Sequence, residues 1–174
     1  MLKLCKYIAC ICEGSAEKAI INILLDNDLC VFKKNDLIEQ ELLSCRSAKE
    51  FEELYLRKSF DDKISVVRVL DSRKEVFKLS KAYKDKVQVI NIITAPEIEV
   101  LIILREGKYQ DFKKSKLKPS IYCKQFLRMT NVKRYDFVTD YFSDVSVLVN
   151  VLKQYKNLPN IPKDELTLSD LLIN

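Results

Sequence analysis

The 174-residue chain has no histidine and only two glycines, Gly14 and Gly107. Without histidine there is no Ser-His-Asp or Cys-His mechanism, no His-containing zinc site and no proximal-His haem, so catalysis must run on carboxylates, Lys, Tyr, Cys or a metal ion. Two glycines cannot build the phosphate-binding loop of nucleotide triphosphatases or the three-glycine dinucleotide fingerprint, both of which need several backbone positions free of a side chain. No long apolar run is present. The longest, around Val87 to Pro96, is too short to span a bilayer, and the basic, apolar start Met1 to Lys6 is interrupted by Glu13, Glu17 and Lys18 before any cleavage site, which reads as no signal peptide.

Six cysteines, Cys5, Cys10, Cys12, Cys30, Cys45 and Cys123, contain no C-x-x-C pair. Several lie in apolar stretches where a small hydrophobe belongs, so they read as reduced thiols of a cytoplasmic protein rather than as a disulfide framework or a zinc site. Hydrophobic residues make up 48% and charged residues 32%, with a net charge of +5. Those proportions describe one globular domain, read as 1–158 with a tail over 159–174.

Periodicity orders the elements. Lys3 to Cys12 reads as a buried strand that stops at Glu13-Gly14-Ser15, and Ala16, Ala19, Ile20, Ile23 and Leu24 predict a helix capped by Ser15 and ending at Asp26. Leu29 to Phe32 is expected as a short strand, and Ser47 with Glu50 has capping-box spacing for a helix from Ala48 to Lys58. Lys63 to Leu70 reads as a near-continuous apolar strand covered on both faces and Val87 to Ile93 as another near-continuous apolar strand, with a helix expected between them over Lys74 to Lys84. Pro96 is placed to open the next helix, with Glu97 and Glu99 at its positive end. Val100 to Leu104, Ile121 to Leu127 and Val138 to Tyr155 carry helical spacing, and Thr167 to Asp170 is either one capped turn or a frayed end. Strand, helix, strand in this rhythm predicts an α/β fold: a parallel sheet flanked by helices, with a helical, basic C-terminal part.

Three strands each deliver a carboxylate to the edge where open α/β sheets bind ligands: Glu13 after the first, Asp71 after the second, and Glu97 with Glu99 after the third. Each has a purely structural explanation as well. Gly14 makes a turn, Glu17 complements a helix dipole, and Asp71 caps the helix expected to follow it. Several anionic groups in one crevice repel unless a cation joins them, and hard oxygen donors select magnesium or manganese, which supports phosphoryl-transfer or nuclease chemistry. Between Arg105 and Arg134 ten basic residues face only Glu106 and Asp111. Among them Arg105, Lys113, Lys114, Lys116, Lys118, Lys124 and Arg128, interleaved with Tyr109, Phe112, Tyr122, Phe126 and Tyr135, suit phosphate contacts with base stacking. The alternative is a solvated surface with the aromatic rings turned inward.

The segment Cys12-Glu13-Gly14-Ser15-Ala16-Glu17 resembles the E-G-x-T-E signature that opens Toprim-like domains, especially the RloB-like proteins associated with bacterial restriction and phage defence. Thr94 to Leu104 is similar to that family's N-P-x-F-E-x-W-L-L-L-H segment, aligning Pro96 and Glu99, with Ile98 for Phe, Leu101 for Trp and Arg105 for His. The resemblance implies a Toprim-like parallel sheet, with Glu13 as general acid/base or metal-positioning residue, Asp71 as first metal carboxylate and Glu99 as a further acidic member around Mg or Mn. It departs at Asp71-Ser72-Arg73, where the family has Asp-x-Asp. Two functions follow: a metal-dependent nuclease, or a degenerate domain that binds nucleic acid or a protein partner without cleavage, Arg73 replacing the metal's charge and contacting phosphate.

Overall fold

A computed structural model describes residues 2–95 and 97–173. It is a mixed α/β fold around a three-stranded parallel sheet in the order β1-β2-β3, comprising β1 (Tyr7–Cys12), β2 (Ile64–Leu70) and β3 (Val87–Ile93). Tyr7 pairs with Ile64 and Ile64 with Val87, so all three strands run out at the same edge. β2 is the central strand and every one of its residues is buried, as its near-continuous apolar run requires.

The side-chain period of two divides the core. Ile8, Cys10, Val67, Val69, Ile90 and Ile92 face α1 (Ser15–Asp26) and the later helices, while Ala9, Ile11, Ile64, Val66 and Val87 face Phe51 of α2 (Ala48–Tyr55) and Leu43. Beyond β1 the sheet is extended by backbone bonds from Ile38 N–H to Ile8 O at 2.9 Å and Leu43 N–H to Cys10 O at 2.8 Å, which cover that edge. α3 (Val100–Arg105), α4 (Tyr109–Ser115), α5 (Pro119–Phe126), α6 (Tyr135–Tyr141) and α7 (Val145–Lys156) complete the larger layer.

Four local expectations are corrected. The first helix is capped by Gly14 rather than Ser15. Leu29 to Phe32 is not a strand; only Cys30 bridges to Leu172, in antiparallel sense. The helix expected over Lys74 to Lys84 is absent. There, side chains take over the bonds a helix would make: Glu75 pairs with Arg68, Ser72 Oγ accepts from Lys74 N–H, and Glu52 Oε1 accepts from Ser80 N–H, while Phe77, Leu79 and Tyr83 are drawn onto the α2 side of the sheet. β3 is less covered than β2, with Val89 and Asn91 exposed. The single helix expected over Val138 to Tyr155 is two, because Phe142 is buried at the end of α6 and Asp144 restarts the chain as the N-cap of α7, accepting from Ser146 N–H at 3.0 Å. Pro96 lies outside the described residues.

The last segment forms the capped turn: Asp170 accepts from Thr167 N–H at 2.7 Å, and Leu168 and Leu171 are buried. Val31 N–H to Leu171 O and Ile93 N–H to Leu166 O, each 2.8 Å, tie it to the body of the fold.

Candidate functional site

The parallel sheet carries the chain from each strand to the same edge, and that edge holds an acidic cleft of about 240 Å³. Glu13 follows β1, Asp71 follows β2, and Glu97 and Glu99 follow β3, so all the carboxylates anticipated from the sequence line one cleft. Glu13 and Asp71 are held together by the backbone as well, since Asp71 N–H approaches Glu13 Oε2 at 3.4 Å and Glu13 N–H donates to Val69 O at 3.2 Å.

Two further lining residues had no role in the acidic site expected from the sequence, although Glu17 closes the Glu13-to-Glu17 motif and Lys133 is one of the ten basic residues between Arg105 and Arg134. Glu17 lies in the first turn of α1 and is only 7% exposed. Its carboxylate folds back over Gly14, where an added Cβ would meet Glu17 Oε2 at 2.5 Å, so the absence of a side chain at position 14 is what admits it. The signal was in the sequence, because Glu17 sits three residues after Gly14 at the head of a helix, but its dipole role hid its place in the cleft. Lys133 comes from a loop far along the chain, and nothing local placed it in the cleft. Its Nζ stands 3.6 Å from both Glu97 Oε1 and Glu99 Oε1.

The electrostatics follow from crowding. Burial pushes Glu17 up to about 7; its own backbone N–H opposes this, while Glu99, Asp71 and Glu13 reinforce it. Burial, then the neighbouring Asp71, raises Glu13 above the ordinary carboxylate range. Glu99, whose side chain is 1% exposed, is raised by burial against the nearby N–H of its own backbone and the pull of Lys133, and neither of its carboxylate oxygens has a partner in hydrogen-bond geometry among the described residues. Glu97 is the exception: burial would raise it, but the Ser120 N–H at 3.0 Å and Lys133 outweigh that and hold it low. Burial by itself would lower Lys133, but the attraction of Glu99 and Glu97 raises it. One cation thus serves a cleft with five carboxylates, and among the described residues no three acidic or thiol side chains already form a metal-holding group.

Arg73 does not enter the cleft. Its Nε and NH2 donate to Glu165 at 2.5 and 2.8 Å, a bidentate pair with a carboxylate that is nearly buried. Arg105 is likewise occupied, lying 4.0 Å over the Tyr141 ring and donating to Tyr141 O. The other anticipated cations are different. Lys113, Lys114, Lys116, Lys118, Lys124 and Arg128 are all exposed on α4, α5 and the turns beside them, and among the described residues none forms an ion pair. Of the interleaved aromatics, Tyr122 is buried while Phe126 is 61% exposed and stacks on it at 4.9 Å, and Tyr135 is also exposed. The Ser120 to Glu97 bond joins this basic surface to the wall of the acidic cleft.

Five cysteines are buried and none forms a disulfide. Burial raises Cys45 and Cys30 to about 11 and Cys123 to about 12, so these thiols stay protonated near neutrality and are poor nucleophiles. Among the described residues no helix is long and apolar enough to cross a membrane. No family model, curated protein or solved structure matches the chain.

Proposed function

We propose that the chain is a Toprim-type protein acting on nucleic acid, in which the cleft between Glu13, Asp71 and Glu99 takes up magnesium or manganese for phosphoryl transfer. The observation that carries this is the placement of carboxylates from three strand ends around one cleft, with both oxygens of the buried Glu99 left without a hydrogen bond. The donor set suits a hard cation, being all oxygen with no imidazole or thiolate among the lining residues. When bound, such an ion supplies a water-derived nucleophile and neutralises charge on a phosphodiester. Glu13 and Asp71, exposed at the mouth, are the groups within reach of a substrate, and Glu17, poised near neutrality, is suited to hold or release a proton. The unpaired cations of α4 and α5 hold the polyanion beside the cleft, with Phe126 available for stacking. Free, buried cysteines agree with work in a reducing cytoplasm, and the resemblance supports a place in phage defence.

A second reading has its own observation. Lys133 already stands against Glu97 and Glu99, where it serves as an internal counter-ion, so the domain binds nucleic acid or a protein partner without cutting. Arg73, engaged by Glu165, is not the residue that replaces a metal in that case.

Calorimetric titration of manganese into the wild type, Glu13→Gln, Asp71→Asn and Lys133→Met, followed by a cleavage assay on single-stranded and duplex substrates, separates the two. Binding by the wild type that Glu13→Gln and Asp71→Asn abolish supports the metal-dependent enzyme. Binding seen only in Lys133→Met supports the non-cutting domain. No binding at millimolar metal in any of the four sinks the metal reading.

A further inference from the structure

Beside the acidic cleft, and sharing Glu13, Gly14 and Ser15 with it, is a larger pocket of about 690 Å³ on the α2 side of the sheet. Three cations line it: Lys18 from α1, Arg46 from the loop before α2, and Arg68 from the middle of β2. Arg68 is only 5% exposed, an unusual cost for a central strand, and is held by Glu75 at 2.8 Å with its guanidinium 4.7 Å over the Phe77 ring. Its charge is therefore balanced internally. Lys18 and Arg46 have no carboxylate partner within ion-pair distance among the described residues; Lys18 donates instead to the Ser44 hydroxyl.

We propose that this pocket binds a phosphomonoester, carried by a mononucleotide or by the phosphorylated end of a nucleic-acid strand. The charge favours an anion: Lys18 and Arg46, unpaired among the described residues, outnumber Glu13, the one lining carboxylate that Arg68 does not already pair, and a phosphomonoester, with close to two negative charges near neutrality, draws more from the two cations than a phosphodiester with one. The donors match as well, since the Ser15 and Ser44 hydroxyls stand at the same wall as Lys18 and Arg46. The volume far exceeds a lone oxyanion and lies in the range of sites for nucleotide-sized ligands, with Ile11 and Leu70 as apolar walls. The inference deepens the nucleic-acid part of the proposed function and does not rest on its metal step.

The test is calorimetric titration in chelator, which removes the acidic cleft's metal from the outcome. The probes are a nucleoside 5′-monophosphate, the parent nucleoside, and one oligonucleotide with either a 5′-phosphate or a 5′-hydroxyl. The phosphorylated member of at least one pair is expected to bind roughly tenfold tighter or more. Arg46→Ala with Lys18→Ala, both near the surface and checked for native melting, removes that preference, and Asp71→Asn leaves it in place. A preference confined to the mononucleotide assigns the pocket to free nucleotide, and one confined to the oligonucleotide assigns it to strand ends. Equal affinity for both members of both pairs, or a preference that survives the double substitution, overturns the proposal. A protein that shows the preference and yet never binds manganese keeps this inference and loses the metal-dependent one.

Discussion

At the scale of single residues the acidic cleft is held together against its own repulsion, and Glu17 shows the consequence. Its carboxyl sits near 7 in the fold against 4.5 as a free side chain, because burial and the charges of Glu99, Asp71 and Glu13 outweigh the backbone donor at the head of α1. As pH rises from 4.5 to 7 the unfolded chain gives up this proton first, so over that window the unfolded state binds fewer protons and stability falls. Glu17→Gln removes the titration. It is expected to flatten the loss between pH 5 and pH 8 and to stabilise the protein at pH 8 by at most about 3 kcal/mol. Denaturant melts at the two pH values check this, and a variant less stable than wild type at pH 8 would show that the carboxylate's attraction to the helix end dominates. Gly14→Ala acts on the same group from the other side: its methyl group meets the carboxylate and pushes it out of the cleft toward water. The expected result is a Glu17 titration moved back toward 4.5, read by NMR of the labelled side-chain carboxyl; an unmoved titration would mean that the backbone yields instead of the carboxylate.

At the scale of elements, what the sequence announced and what it concealed divide along physical lines. All three sheet strands were legible because each is a β-branched, apolar run ended by polar residues, and the carboxylates at their ends followed from parallel pairing alone. The Lys74 to Lys84 segment was misread because its spacing fits a helix equally well; the contest is decided by Arg68, Glu52 and the α2 side of the core, which lie elsewhere in the chain. Lys133 was invisible as a cleft residue for the same reason. The break between α6 and α7 was readable in principle, since Ser143-Asp144 precedes an apolar helical run, but the periodicity on either side masked it. Asp144 is the device that restarts the helix, and Asp144→Ala should destabilise the protein by about 1 kcal/mol through loss of the cap to Ser146. Asp144→Asn and Asp144→Ser are expected to restore most of that. A thermal melt separating Ala from the other two measures the cap, and identical melts for all three would mean that Phe142 packing alone sets the break.

At the scale of the molecule, the net charge of +5 conceals a segregation that the composition could not show. Five carboxylates are gathered at one cleft, whereas Lys113, Lys114, Lys116, Lys118, Lys124 and Arg128 lie exposed on α4, α5 and the adjoining turns, without ion pairs among the described residues. The Ser120 to Glu97 bond keeps the two regions adjacent. Under the proposed function, a polyanion held on the basic surface lies beside the mouth of the acidic cleft, which repels it without a cation present. Binding to duplex DNA is therefore expected to weaken with salt, and Lys113→Ala with Lys116→Ala to lower the magnitude of the log-log salt slope by roughly 1.8, because each phosphate contact contributes about 0.9. Glu97→Gln, which removes a charge from the wall between the regions and leaves the α4 and α5 lysines in place, should leave their contribution to that slope unchanged while strengthening binding in the absence of divalent metal. Fluorescence anisotropy across a range of salt concentrations measures both. An unaltered slope in the double lysine variant would mean that the exposed cations do not face the nucleic acid, and the basic surface would have to be reassigned to solvent or to a protein partner.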